Sequence, residues 1–301
     1  MSVARVPTTV RVGQPTWFTR ARRRTHGVHW SVFAGGGVFL FVCVVLVLTP
    51  RIAPYDPSAQ DLTARLASPS AQHWLGTDAF GRDVLSRLMF GGRFSVSIAV
   101  VTLLLSSTVG TVVGVISGRL GGIVDEMAMR AADVLLAFPD ILIALVLIAI
   151  LGSGPETVIL ALSLVGWTPF ARLARSMTIE INARGYVEAA RALGCSQRFI
   201  TFRHVLPNAL TPVLSLGLAR FGYQLITIGS LSYLGLGVQP PASDWGSMLA
   251  DGQPYMRQLP LLIIAPGVTI FVTALSVTIA GQGLSRKRFG LTAIEGTGAP
   301  Q

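Results

Sequence analysis

The chain has 301 residues, of which 51% are hydrophobic and 13% are charged, and its formal net charge is +10. A soluble domain carries about 25% charged residues, so this composition argues against a soluble protein and predicts an all-α, polytopic membrane protein. The basic residues lie mainly beside apolar segments, where they orient the chain and contact anionic lipid head groups, and this placement argues against nucleic-acid binding.

Six apolar segments predict six transmembrane helices, since about 20 apolar residues span a hydrocarbon core of about 30 Å. In chain order they cover approximately residues 30–49, 94–117, 133–151, 156–173, 211–234 and 261–280.

The distribution of arginine predicts the orientation of these helices. Six arginines precede the first span, six more lie within residues 171–208, and Arg286, Lys287 and Arg288 follow the last span. The positive-inside rule places all three regions, and therefore both termini, in the cytoplasm. Residues 52–93 and 235–260 are then extracytoplasmic.

The same distribution predicts four regions along the chain. Residues 1–29 form a basic, disordered cytoplasmic tail, and residues 30–93 hold the first transmembrane helix and an extracytoplasmic segment. Residues 94–284 form the transmembrane core, which includes a cytoplasmic loop at 174–208, and residues 285–301 form a second cytoplasmic tail.

Glycines and prolines mark places of close packing or bending. Gly110, Gly114 and Gly118 stack along one stripe of the second span, which allows another helix to approach closely, either from this chain or from a partner. Pro139 and Pro212 lie in or near spans, where they indicate a mobile pore lining or ordinary helix irregularity.

The cytoplasmic loop has the pattern of two short helices. Tyr186, Ala189, Ala190 and Leu193 form a small apolar face, Gly194 ends the first helix, and the second helix is expected to end at Pro207. Such a helix could lie on the membrane surface or dock into a groove of a soluble partner, and the small alanines favour docking.

Residues 188–194 (EAARALG), followed by Leu206 and Pro207, resemble the E-A-A…G…L-P signature of ABC importer permeases. In that family this loop forms the coupling helix that inserts into the ATP-binding subunit. The resemblance therefore implies that these residues couple the chain to an ATPase. The predicted coupling residues are Glu188, Ala189, Ala190, Arg191, Leu193, Gly194, Leu206 and Pro207.

Other segments resemble one branch, the C-type permeases of dipeptide, oligopeptide and nickel importers. They are residues 73–78 (HWLGTD), 81–87 (GRDVLSR), 133–139 (DVLLAFP) and 231–241 (LSYLGLGVQPP). The resemblance implies the fold of a type I ABC importer transmembrane domain in the bacterial plasma membrane. It also implies transport of di- or oligopeptides, with nickel, glutathione or another small solute as alternatives.

The resemblance implies a set of partners. They are a second homologous permease, two ATP-binding subunits or a fused pair, and an extracytoplasmic substrate-binding protein, in addition to membrane lipids. The sequence contains no phosphate-binding loop, so ATP and Mg²⁺ are expected on the partner subunits. We expect no catalytic residue, cofactor or metal site on this chain.

Two charged residues at membrane depth are candidates for the translocation pathway. Asp140 follows Pro139, and Arg220 lies inside the fifth span. Arg220 could face the pathway and meet a peptide carboxylate, or it could pair with Asp133 or Asp140.

Three rival functions are less consistent with the sequence. An ion-driven secondary transporter would leave the E-A-A loop unexplained, and the chain shows no convincing internal repeat. A membrane hydrolase would need an acid/base or Ser/His constellation at depth, and the spans contain no histidine. ABC exporters lack this loop.

Overall fold

The structure of the chain, a computed structural model, describes residues 30–289 and the side chains of residues 33–282. This described part is helical and contains no β-strand. Its helices are α1 Trp30–Ile52, α2 Val84–Leu120, α3 Gly122–Leu136, α4 Asp140–Leu151, α5 Pro155–Gly166, α6 Thr168–Asn182, α7 Gly185–Ala192, α8 Gln197–Ile200, α9 Leu206–Tyr233, α10 Trp245–Gly252 and α11 Leu261–Phe289. The predicted tail at 1–29 lies outside the described residues. Of the tail predicted at 285–301, residues 285–289 continue helix α11 and residues 290–301 lie outside the described part.

Four helices in the described residues are long and apolar enough to cross a bilayer. They are Phe33–Ile52, Val84–Leu120, Pro155–Asn182 and Leu261–Gln282, and α3 with α4 would make a fifth if they formed one bent span. The polytopic all-α prediction is therefore confirmed. The count of six spans and the cytoplasmic termini stay predictions, because α9 has the length for a span, 28 residues, but is not among these helices.

The third span predicted over residues 133–151 is not a single straight helix. The helix breaks between Leu136 and Asp140, and the axes of α3 and α4 differ by 88°. Pro139 explains the break, because its ring excludes the preceding residue from helical geometry and it has no N–H to donate. With 12 residues, α4 extends about 18 Å and does not cross the membrane alone.

The helix α2 is the central element of the fold, and it begins at Val84 rather than near residue 94 as the sequence suggested. Asp83 caps its first turn by accepting a hydrogen bond from the N–H of Ser86 at 2.8 Å. Its 37 residues pack most extensively against α6, and also against α5 and α9.

The glycine stripe of α2 forms the seam with α6. A Cβ atom at Gly110 would lie 2.3 Å from the carbonyl oxygen of Trp167, and one at Gly114 would lie 2.2 Å from that of Ala171. A Cβ at Gly118 would lie 2.8 Å from the Arg175 carbonyl oxygen. The close approach predicted from these glycines is thus made within this chain.

Residues 53–83 and 235–260, which include α10, pack together at one end of α2 and are here called the cap. The side chain of Trp245 is almost fully buried, and its indole N–H donates to the Leu88 carbonyl oxygen of α2 at 2.8 Å. The backbone N–H of Trp245 donates to the hydroxyl of Ser95 at 3.1 Å. These bonds fix α10 to α2, at the end of α2 remote from α6's last turn.

Candidate functional site

The loop at 174–208 leaves the body of the protein at the end of α6 and returns at the start of α9. Gly194, with φ +80°, ends α7, and its N–H donates to the Arg191 carbonyl oxygen at 3.0 Å. Ser196 then caps α8, because its hydroxyl accepts a hydrogen bond from the Phe199 N–H at 3.2 Å. The predicted helix, glycine break and second helix are therefore present.

The inner face of this loop is a small apolar cluster. Ile181 in the last turn of α6 packs with Val187 of α7, Ile200 of α8 and Val205, and each of these side chains is at most 1% exposed. Since Ile181 belongs to α6, the cluster attaches α7 to the end of that helix.

The outer face of the loop is also apolar but is uncovered. Leu193 is 84% exposed and Phe202 is 69% exposed, and Tyr186 and Phe199 are about half exposed. The predicted apolar face of Tyr186, Ala189, Ala190 and Leu193 is therefore correct only in part, because the buried anchor of α7 is Val187. The sequence of α7 alone does not indicate which of its apolar side chains will be buried.

The predicted coupling residues of α7 lie on or beside this outer face. Glu188 and Ala189 are exposed, and the carboxylate of Glu188 has no hydrogen bond or ion pair with any described residue. Arg191 is oriented by Asn182, whose side-chain oxygen accepts a hydrogen bond from the guanidinium at 3.0 Å. An unpaired carboxylate and exposed apolar side chains therefore lie together on this face.

Leu206 and Pro207 do not end the second helix as the sequence analysis expected. They begin α9, and α8 continues into it through a π-helical turn at Thr201–Val205, in which the Leu206 N–H donates to the Thr201 carbonyl oxygen. Proline is tolerated in the first turn of a helix, where its missing N–H has no intrahelical partner. The loop thus joins α9 without a flexible break.

The pathway candidates Asp140 and Arg220 converge on Tyr223, a residue that the sequence analysis did not single out. The hydroxyl of Tyr223 lies 2.8 Å and 2.7 Å from the two carboxylate oxygens of Asp140. The guanidinium carbon of Arg220 lies 5.7 Å from the centre of the Tyr223 ring, within the range of a cation–π contact.

Arg220 forms no ion pair with either of the carboxylates considered for it. Asp133 pairs with Arg172 of α6, and Asp140 binds Tyr223. No carboxylate in the described part of the chain lies within 4.0 Å of the Arg220 guanidinium nitrogens. Its positive charge therefore remains available to an anionic group.

These three residues line a small, partly open space of about 10 Å³, which holds roughly one water molecule. Ser106 and Gln224 line it, and the Ser106 hydroxyl and the Gln224 amide nitrogen are buried without a hydrogen-bond partner among the described atoms. Asp140, Arg220, Tyr223, Gln224 and Ser106 are called the depth cluster below. No spacing in the sequence predicts this cluster, because its members come from three separate helices, α2, α4 and α9.

The cap contains a second polar cluster that the sequence analysis did not predict. The carboxylate of Asp78 binds the guanidinium groups of Arg82, at 2.7 Å, and of Arg87. Asp251 of α10 binds Arg87 at 2.8 Å. Asp78, Arg82 and Arg87 are at most 7% exposed, whereas the side chain of Asp251 is 46% exposed.

These charged residues fall inside the family-like segments 73–78 and 81–87. A buried charge is strongly destabilising without a partner, so the two arginines require the buried carboxylate of Asp78, and the partly exposed Asp251 is an additional partner. The cap is thereby tied across 164 positions of sequence. Asp251 lies outside those segments, and only the folded structure shows that it pairs with Arg87.

Comparison with known proteins identifies the family. Residues 110–290 match the family described as "Binding-protein-dependent transport system inner membrane component". The glutathione transport system permease protein GsiD of Pectobacterium atrosepticum is 38% identical over 263 residues, which cover 87% of each chain. The nickel transport system permease protein NikC of Escherichia coli K12 is 35% identical over 255 residues, covering 85% of this chain and 92% of the relative.

Among solved structures, the inward facing MetNI methionine ABC transporter is similar with a TM-score of 0.52 and 18% identity. The match covers 64% of this chain and 92% of that one, and at this identity it shows the fold alone. It agrees with the predicted type I importer fold.

Family membership rules out the ion-driven transporter considered from the sequence, and it places the chain in the inner membrane. The chain belongs to the binding-protein-dependent transport system inner membrane components, and within them it is a permease subunit of an ABC importer of the peptide and nickel branch.

Proposed function

We propose that this chain forms half of the translocation pathway of an ATP-driven importer for small peptides or peptide-like solutes. A second homologous permease forms the other half, and two ATP-binding subunits, separate or fused, bind and hydrolyse ATP with Mg²⁺. A substrate-binding protein delivers the solute to the cap. The relative named for glutathione transport supports the peptide class, since glutathione is itself a small peptide.

The observation that carries the proposed coupling is the uncovered apolar face of the 174–208 loop. Leu193 and Phe202 expose large apolar surfaces beside the unpaired carboxylate of Glu188. An exposed apolar patch with a few polar groups is typical of a protein–protein interface. The ATP-binding subunit covers this face in the assembled importer.

The inner cluster gives this interface its mechanical role. Because Val187 packs on Ile181, a displacement of α7 by the ATPase moves the end of α6 with it. ATP binding then shifts the balance between inward- and outward-facing states, provided that the ATPase binds the two states with different affinity.

The coupling is tested by co-purification of the chain with its ATP-binding subunits. Glu188→Arg and Leu193→Asp are expected to reduce the ATPase recovered, and solute-stimulated ATP hydrolysis, by about tenfold, the factor given by about 1.4 kcal/mol. Glu156→Arg is the matched control, a charge reversal at an exposed glutamate at the start of α5. Normal assembly of both loop variants would contradict the assignment.

For the pathway, we propose that the depth cluster contacts the solute. The Arg220 guanidinium suits a carboxylate, and the Asp140–Tyr223 pair suits an ammonium group, so together they match a zwitterionic peptide. Ionisable residues at membrane depth mark substrate pathways more often than packing sites.

A transport assay in vesicles decides between solute classes. A labelled dipeptide and glutathione are expected to enter by an ATP-dependent route, and Asp140→Asn and Tyr223→Phe should slow entry about tenfold with ATPase assembly unchanged. Asp133→Asn, on the neighbouring helix α3, is the matched control. Uptake of nickel alone would support the second candidate, which rests on the relative named for nickel transport.

A further inference from the structure

An apolar groove lies beside α1, near the end of this helix that reaches the cap. It encloses about 520 Å³, within the range of roughly 300–1,000 Å³ found for small-molecule pockets. Val45 of α1, Leu88 and Met89 of α2 form its walls, and Trp245 of the cap lines it as well. We call this feature the α1 groove.

The lining of the α1 groove is almost entirely apolar, and its two polar hydrogens are already bonded within the protein. Thr269 contributes a hydroxyl to its lining, but that group donates to the Ala265 carbonyl oxygen at 2.8 Å. The indole N–H of Trp245 is likewise bonded, to the Leu88 carbonyl oxygen. Apolar cavities with satisfied walls stay dry, so the natural occupant is a hydrocarbon.

The groove also lies where hydrocarbon is available. It is bordered by α1, an apolar helix of membrane-spanning length whose other side chains are largely uncovered, such as Val47 at 74% exposed. Phe41, which lines the groove, is itself 68% exposed. A lipid chain in the surrounding bilayer can therefore enter sideways.

The end of the groove near the cap has the residues of a membrane interface. Trp74 lines the groove there and is 69% exposed, and tryptophan is enriched where the hydrocarbon meets the head groups. Arg51, in the last turn of α1, is exposed and directly precedes the groove residue Ile52. It pairs with none of the carboxylates that the structure describes, so its charge is free for a phosphate.

We propose that the α1 groove is the binding site of a resident phospholipid, with one acyl chain in the groove and the phosphate on Arg51. The lipid fills the gap that α1 leaves against α2 and the cap, and so fixes this peripheral helix to the body. The proposal depends on the membrane location of the chain and is independent of the solute that the importer carries.

The test uses the intact importer, purified in mild detergent with its partner subunits, and counts retained phospholipids by native mass spectrometry. Val45→Trp fills the groove and is expected to lower the retained lipid at least about tenfold. Val44→Trp is the matched control, because Val44 is the adjacent residue, 46% exposed, and does not line the groove. Arg51→Gln should weaken rebinding of phosphatidylglycerol about fivefold, the value of one basic residue at a membrane surface.

A second measurement on the unaltered protein keeps the proposal testable if Val45→Trp fails to assemble. Phosphatidylglycerol with a photoreactive acyl chain is expected to cross-link to groove residues such as Val45 and Met89. Labelling confined to outward residues such as Val47, or equal lipid retention by the two tryptophan variants, would overturn the proposal. Protection of the groove by a helix of the partner permease, seen as a protein–protein cross-link there, would also overturn it.

Discussion

The cap and the 174–208 loop lie at opposite ends of the α2–α6 pair. The cap buries charged side chains, whereas the loop exposes apolar ones. In the cap, Asp78 and Arg87 are almost fully buried and form an ion pair, and Asp251 also binds Arg87. In the loop, Glu188 has no partner and Leu193 is 84% exposed. The charged residues of the cap are thus paired within this chain, whereas the outer face of the loop is not covered by any residue that the structure describes.

The two regions differ in which groups must find a partner while the chain folds. Buried charges need partners as soon as the chain folds, because the penalty for an unpaired one is large. An exposed apolar patch, by contrast, marks a surface that a partner can cover after the chain has folded. Substitutions in the cap should therefore affect stability, and those on the outer face of the loop should affect assembly.

The largest effect is expected at Asp78. Asp78→Ala leaves Arg82 and Arg87 buried with only the partly exposed Asp251, and should cost roughly 3–5 kcal/mol of unfolding free energy. Asp251→Ala, which removes a carboxylate from the same arginines, should cost no more than about 1 kcal/mol because that pair is half in solvent. Denaturant titration of the purified chain in detergent measures both, and equal losses would show that the cap does not depend on burial.

The next effect compares the two faces of α7. Val187→Ala removes a buried side chain and should destabilise by about 1.5–3 kcal/mol, whereas Leu193→Ala should change stability by less than about 0.5 kcal/mol. The same titration distinguishes them, with recovery of the ATP-binding subunits as a second readout. A stability loss at Leu193 would mean that the outer face is packed within this chain.

The seam that joins the two regions gives a third comparison. Gly114→Ala would place a methyl group 2.2 Å from the Ala171 carbonyl oxygen, and the shift required should cost about 1–3 kcal/mol. Gly36→Ala in α1 is the control, since nothing lies within 4 Å of its added Cβ, and it should be neutral or slightly stabilising. Similar unfolding free energies for the two variants would show that the close contact between α2 and α6 does not contribute to stability.

The smallest effect concerns Asp244, the buried cap of α10. Burial raises the pKa of its carboxyl group, against hydrogen bonds from Ser232 and Ser247 that lower it. With the folded pKa above the unfolded one, the stability it contributes is present at low pH and is lost as pH rises through the folded pKa.

Asp244→Asn keeps an oxygen that can accept from the Ser247 N–H but does not titrate. Its stability relative to the unaltered chain should therefore rise as the pH increases from about 4, near the ordinary pKa of an aspartate, to neutrality. Thermal unfolding across that range measures it. A relative stability that falls with pH would contradict the sign of the shift.

Much of the fold could be predicted from the sequence because it depends on local signals. Apolar length gave the positions of the long helices, and the stripe of Gly110, Gly114 and Gly118 indicated a close helix contact. The short helix with its break at Gly194 was visible for the same reason, since helix length and a glycine with positive φ are encoded in neighbouring residues.

What the sequence did not reveal depends on distant residues. The pairing of Arg87 with Asp251, and the meeting of Asp140 with Tyr223, join helices whose relative positions no spacing encodes. Pro139 indicated an irregularity before Asp140, but the size of the bend was not predicted because apolar composition continues through it. The choice of Val187 as the anchor of α7 depends on Ile181 and Ile200, which surround it only after folding.

The glycine seam also has a mechanical consequence. From Gly110 to Gly118 the backbones of α2 and α6 pack directly against each other. We therefore expect the two helices to move as one rigid unit. With 37 residues, α2 extends about 55 Å, from Asp83 in the cap to the level of α6's last turns, where α7 is attached. If the ATP-binding subunit displaces α7, as proposed above, we expect the displacement to reach the cap as a rotation of the α2–α6 pair.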